Sequence, residues 1–223
     1  MLSRLPRWIE YGAFTLALLA GIVNAVGLLG FQHQSISHLS GTATLLGSSL
    51  LGSLDSSLHL LGILIAFLFG AMISGLLLTS TSLKLGRHYD SLLFIEGLLL
   101  LIAIYFLNDG SFLGHYFASA ACGLQNALAS SYSGAVIRTT HVTGIFTDLG
   151  ILLGSALRGE AFDRRKAMLF LIIIIGFILG GLFGALLYIK FAFMALIVPV
   201  LICFALALSY KIYIARKRQQ SSA

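Results

Sequence analysis

The chain has 223 residues, 58% of them hydrophobic and only 10% charged, with a formal net charge of +6, 24 glycines, two prolines and two cysteines. Charged residues are too scarce for a disordered chain or a soluble domain, where about a quarter of residues are charged, so the solvent of this chain is lipid. The surplus cations form short clusters between apolar runs, which is a topology signal and an attraction to anionic lipid rather than a nucleic-acid-binding face.

Eight apolar segments follow one another, at 11–29, 41–54, 58–79, 91–107, 112–131, 142–157, 167–189 and 191–213. Arg4 and Arg7 precede the first, which makes a signal peptide the rival reading. That segment has a counterpart deep in the chain, so it reads as mature protein. Cys122 and Cys203 each sit inside an apolar run and read as packing residues, with no disulfide framework or metal set around them. The segments 41–54 and 142–157 stand apart. As helices they would rise roughly 21 to 24 Å, short of the ~30 Å hydrocarbon core, and Gly, Ser and Thr interrupt them.

The two halves of the chain answer each other. Gly21-Ile22-Val23-Asn24-Ala25-Val26 matches Gly123-Leu124-Gln125-Asn126-Ala127-Leu128 at a shift of 102, and the stretch 38–47 matches 141–150 at a shift of 103. The second match keeps His, Gly, Thr, Leu and Gly in register. Polar residues are rare here, so their recurrence at matched places marks a repeat. Under it the first four segments pair in order with the last four.

The cations decide how many segments cross. If all eight did, ten cations would lie inside and Lys84, Arg87, Arg138 and Lys190 outside; if 41–54 and 142–157 do not span, only Lys190 is outside and the ratio is 13 to 1. Six spans are therefore expected. They divide into three per half, an odd number, so the second half enters the membrane upside down. The expected fold is an all-α integral membrane protein with six transmembrane helices and two short half-membrane helices, an inverted 3+3 repeat. Residues 1–108 form the first unit and 109–223 the second, with both termini cytoplasmic. In transporters built this way, short Gly-interrupted segments at matched places mark the substrate site.

The links 30–39 and 131–142 would descend to mid-bilayer and bring two helix starts face to face, at Ser40-Gly41-Thr42 and at Thr143-Gly144. Each start offers unpaired backbone N–H groups and about half a positive charge, suited to an anion or the negative end of a polar solute; ordinary capping by Ser40 and Thr143 is the plainer alternative. His38 and His141, two residues earlier, would stand at the cavity edge to bind solute or exchange a proton. Thr44 and Thr147 recur one turn inside, and Asn24, Asn126 and Gln125 put amides into spanning helices, where they must contact solute or broken backbone. Asp148 is a carboxylate at membrane depth whose repeat partner is Leu45, which makes it, with His141, the candidate proton-coupling group, relieved by pairing with Arg138 or His141. Glu96 reads as structural, within reach of water or Arg87. Gly176, Gly180 and Gly184, partly matched by Gly70 and Ser74, have the spacing of a close helix contact, and Pro199 is placed to kink the last segment.

The passages 21–47 and 122–150, above all Gly-Leu-Gln-Asn-Ala at 123–127 and Arg-Thr-Thr-His-Val-Thr-Gly at 138–144, resemble the YoaK-like family of uncharacterised bacterial multi-pass membrane proteins. The resemblance covers most of the chain and implies a bacterial cytoplasmic-membrane location without an established substrate. In the first half the family has an acidic residue where Asn24 stands and Thr-Gly-Asn where Ser40-Gly41-Thr42 stands.

No nucleophile elbow, phosphate-binding glycine loop or zinc-spaced histidine pair occurs, so an enzyme, a cofactor and a metal are not expected. The reading is a secondary transporter for a small polar or anionic solute, with proton coupling as an option and membrane lipid and the solute as its partners. A channel of the same build and a non-transporting scaffold or assembly factor are the alternatives. The sequence leaves the substrate and homo-oligomerisation open.

Overall fold

The computed structural model describes residues 8–30, 37–78, 88–133 and 138–220. Eight α-helices run through them: α1 (Trp8–Gly30), α2 (Leu39–Ser49), α3 (Leu54–Leu77), α4 (Tyr89–Asn108), α5 (Leu113–Ser133), α6 (Val142–Leu157), α7 (Arg164–Phe191) and α8 (Ile197–Gln220). A short 3-10 turn, Ala192–Leu196, joins the last two. Arg4, Arg7, Lys84 and Arg87, which weighed in the cation count, and residues 31–36 and 134–137 of the two descending links lie outside the described residues.

The helix ends follow from local chemistry. Asp163 caps α7 by accepting from the N–H groups of Arg165 (3.1 Å) and Lys166 (3.0 Å), and Ser53 caps α3 by accepting from the N–H of Ser56 (3.4 Å). The Ser53 cap starts α3 at Leu54, so residues 54–57, expected to end the short segment or link it to the next, belong to the long helix. Helices α4 and α6 both end on a left-handed glycine, Gly110 (φ 71°) and Gly159 (φ 87°). The N–H groups of Ser111 and Glu160 then reach back to the carbonyls of Phe106 (2.9 Å) and Ser155 (3.1 Å), satisfying the last turns. Pro199 does not kink α8. It is the third residue of that helix, in the first turn, where a missing N–H costs nothing.

Segments Glu10–Gly30, Leu54–Leu77 and Tyr89–Asn108 are long and apolar enough to cross a membrane, as is the continuous stretch Arg164–Arg216, which contains α7 and most of α8. Helix α5, with 21 residues, would rise about 31 Å but is not among these apolar spans, because it carries His115, Ser119, Gln125 and Asn126 into the bundle. The outer surface is apolar, as lipid requires. Leu58, Leu61, Ile65, Leu68, Met72 and Leu76 form an exposed row on α3, and Met168, Leu171, Ile175, Ile178, Leu182 and Leu186 form one on α7. Each member of the second row lies 110 residues after a member of the first. This is a helical membrane protein, with its apolar side chains outside as well as in its core.

Packing inside the bundle follows glycine. On α7, a Cβ at Gly176, Gly180 or Gly184 would meet the carbonyls of Phe14, Leu18 and Ile22 on α1, and one at Gly21 would meet that of Phe177. The second pair of helices repeats this. A Cβ at Gly70 on α3 would meet the carbonyl of Ala120 on α5, and one at Gly123 would meet that of Phe67. These contacts superimpose under the repeat, with shifts of 102 for Gly21 to Gly123 and 110 for Gly70 to Gly180. Helix α1 thus packs on α7, and α5 on α3, while α2 lies on α3 and α6 on α7. Each half lends a helix to the other's pair.

Candidate functional site

The first turns of α2 and α6 open onto one cavity of about 810 Å³, lined by Asn24, Ser37, His38, Leu39, Ser40, Phe67, Asn126, Ser130, Arg138, Thr140, His141, Val142, Thr143 and Phe177. All but Ser130 and Arg138 form repeat pairs: Asn24 with Asn126, Ser37 with Thr140, His38 with His141, Leu39 with Val142, Ser40 with Thr143 and Phe67 with Phe177. The cavity is therefore built from both halves of the chain.

The two helix starts share one conformation. His38 and His141 are the N-caps, at φ −96°, ψ 72° and φ −94°, ψ 57°, and neither makes a side-chain capping bond. The first helical bonds, from Thr42 N–H to the His38 carbonyl and from Ile145 N–H to the His141 carbonyl, are both 3.2 Å. Three backbone N–H groups in each first turn thus have no partner within their helix, and they carry the positive end of the helix dipole. Glycine makes room for the imidazoles. A Cβ on Gly41 would stand 2.7 Å from Nδ1 of His38, and one on Gly144 would run into the ring of His141. Ser40 and Thr143, expected as caps, are two residues inside their helices, with the Ser40 hydroxyl 3.3 Å from Nε2 of His38.

The matched asparagines differ. The Ser37 hydroxyl donates to Oδ1 of Asn24 at 2.6 Å, whereas Oδ1 of Asn126 is buried without a hydrogen-bond partner. Thr139, adjacent to the residue paired with Ser37, is fully buried and its hydroxyl is also unpartnered. Arg138 is part of the wall, and among the described residues no carboxylate lines the cavity.

Of the residues expected at the site, Asn24, His38, Ser40, Asn126, His141 and Thr143 line the cavity together. Gly41 and Gly144 support it from the first turns. Thr42 is buried, and the hydroxyls of Thr44 and Thr147 bond back to the carbonyls of Ser40 (2.9 Å) and Thr143 (3.0 Å) in their own helices. Gln125 lies away from the cavity, buried, with Nε2 donating to the Leu16 carbonyl of α1 at 3.0 Å. Asp148 is on an exposed part of α6, outside the lining, and the two ion pairs among the described residues, Arg158–Glu160 and Arg165–Glu10, do not include it. Its expected pairing with Arg138 or His141 is absent, because those residues face the cavity. Glu96 is not near surface water but 1% exposed.

Phe67, Phe177, Ser37, Thr140 and Arg138 are lining residues that sequence reasoning missed. The first four could have been found from the repeat, since 67 to 177 is the shift of the packing glycines. Arg138 was read as a topological charge and as a partner for Asp148, not as part of the cavity wall. Among the described residues no group of three or more His, Cys, Asp or Glu side chains could hold a metal ion, and both cysteines are free and buried.

Fold and cavity together define a helical membrane protein with a polar chamber inside an apolar bundle. The chain matches, over residues 12–209, the model of a family described as protein of unknown function (DUF1275), and it belongs to that family. The resemblance carried by 123–127 and 138–144 agrees with this membership. No curated protein and no solved structure matches the chain.

Proposed function

We propose that this protein is a secondary transporter of a small anionic solute in the bacterial cytoplasmic membrane, with six spans, an inverted 3+3 repeat and both termini cytoplasmic. The observation that carries the reading is the cavity itself: two helix starts without side-chain caps and Arg138 converge on it, and among the described residues no carboxylate lines it. Backbone N–H groups at positive helix ends and a guanidinium are complementary to carboxylate, phosphate or sulfate oxygens. The repeat-matched rows on α3 and α7, and the exchange of helix partners between halves, support the inverted architecture.

The difference between Asn24 and Asn126 supports alternation. In an inverted repeat, exchanging the conformations of the two halves turns a chamber open on one side into one open on the other. A closed hydrogen bond in one half and an open acceptor in the other are the asymmetry such an exchange needs. Solute then bridges the two helix starts, with Asn126, Ser40 and Thr143 as further contacts and His38 and His141 at the rim.

The test is a panel of phosphate, sulfate, mono- and dicarboxylates, with neutral and cationic solutes as controls. Each is scored by thermal stabilisation of the purified protein and then by counterflow in proteoliposomes. The reading expects an anion to stabilise the protein and to show saturable counterflow. Currents without exchange would instead identify a channel, and stabilisation by cations alone would remove the anion reading.

A further inference from the structure

The carboxyl group of Glu96 is not used by the cavity, and no ion pair among the described residues neutralises its charge. It stands in the second turn of α4, about 10 Å along the axis from Tyr89, and is 1% exposed. The Cys203 thiol of α8 and the Cys122 thiol of α5 are the titratable groups close to it among the described residues. Its second oxygen, Oε2, is buried with no hydrogen-bond partner. Neither ion pair among the described residues involves it. An ionised carboxylate in this place would have neither a counter-charge nor a full set of donors, whereas a carboxylic acid needs neither.

Two openings flank this residue. On one side, Cys122 is one helical turn before Asn126, which lines the cavity. On the other, a groove of about 570 Å³ between α4 and α8 is lined by Phe94, Ile95 and Phe204, the sequence neighbours of Glu96 and Cys203, and carries Asp90 and Lys211. Gly97 lets these helices close up, since a Cβ there would stand 2.5 Å from the Phe204 ring.

We propose that Glu96 is a proton-binding site in the core of the bundle, holding its proton while the helices are packed and exchanging it when the wall between the cavity and the α4–α8 groove loosens. The proton leaves as a hydrated proton on one side and is replaced from the other, so no further reactant is needed. Its use to drive solute rests on the transport reading above, but the site itself does not. Burial sets Glu96 apart from Asp148, which is exposed on α6 outside the cavity lining: a carboxyl group enclosed by packed helices must change its proton when its surroundings change.

Dicyclohexylcarbodiimide, an apolar reagent that modifies protonated carboxyl groups, tests the site in native membrane vesicles, with peptide mass spectrometry as the readout. Modification at Glu96 is expected near neutral pH, falling roughly tenfold per pH unit once the group titrates, and unchanged by sodium or potassium at fixed pH. Suppression by either cation would overturn the proton site in favour of a metal-cation site, and absence of modification across the pH range would overturn it outright. Glu96→Gln, which imitates the protonated form, is expected to keep the thermal midpoint of the wild type while removing the pH dependence of that midpoint. A variant that unfolds at neutral pH would show that the ionised form is required and refute the proposal. These readouts need no transport, so failure of the solute reading and failure of the proton site are separable.

Discussion

A substitution of Gly184 by alanine places one methyl group against α1. Its Cβ would stand 2.7 Å from the carbonyl oxygen of Ile22, 2.8 Å from the Ile22 Cα and 3.1 Å from the Ala25 Cβ. Carbon contacts are comfortable at about 3.5–4.0 Å, so α1 must retreat by roughly 0.7–1 Å. Overpacking of this kind costs about 1–3 kcal/mol. Gly181, three residues earlier, supplies the control, because a Cβ there has no heavy atom within 4 Å. Both substitutions gain the same helix propensity, about 1 kcal/mol, so the difference between them isolates the contact. For a chain of this length, Gly184→Ala is expected to unfold about 2–12 °C below Gly181→Ala in a thermal scan of the purified protein. The effect should reach the cavity. Asn24 is two residues beyond Ile22, and a shift of that size would take its 2.6 Å bond to Ser37 near the limit of hydrogen bonding. The first repeat offers the same comparison, with Gly70 against the Ala120 carbonyl and Gly75 open. Equal midpoints for Gly184→Ala and Gly181→Ala would refute the close-packing argument, and with it the idea that α7 positions Asn24.

Arg138→Gln removes the cavity's guanidinium, and loss of one charge-assisted bond of about 1.5–3 kcal/mol should weaken a stabilising anion roughly ten- to 150-fold in a titrated thermal shift; unchanged affinity would place the anion elsewhere. Gln125→Leu removes the bond to the Leu16 carbonyl, which keeps its partner within α1, and should cost about 0.5–1.5 kcal/mol of stability without altering solute affinity, a combination that a solute-binding Gln125 would not give. In a cysteine-free background, single cysteines at Asp109 and Glu160 are expected to react with an impermeant maleimide from opposite sides of sealed vesicles. Labelling of both from one side would contradict the six-span topology.

The sequence by itself determined the solvent, the order of the helices and the repeat. These are local quantities: a run of apolar residues states that it is a helix in lipid, and matched polar residues at a shift of 102 or 103 state that the two halves share a plan. His38 and His141, and Ser40 and Thr143, are repeat-related in the sequence, and these pairs line one cavity. Only the tertiary structure decided which side chains reach the cavity. Gln125 and Asn126 are neighbours in sequence, yet they point from α5 into different surroundings, one into contact with α1 and the other onto the cavity. Thr44 and Thr147 carry the polarity of a site residue but bond within their own helices. Glu96 looked accessible from its position along α4, and becomes buried only because α5 and α8, from the other half of the chain, close over it. Burial and orientation arise from contacts between helices far apart in sequence, and no local pattern in the chain records which helix will cover which face.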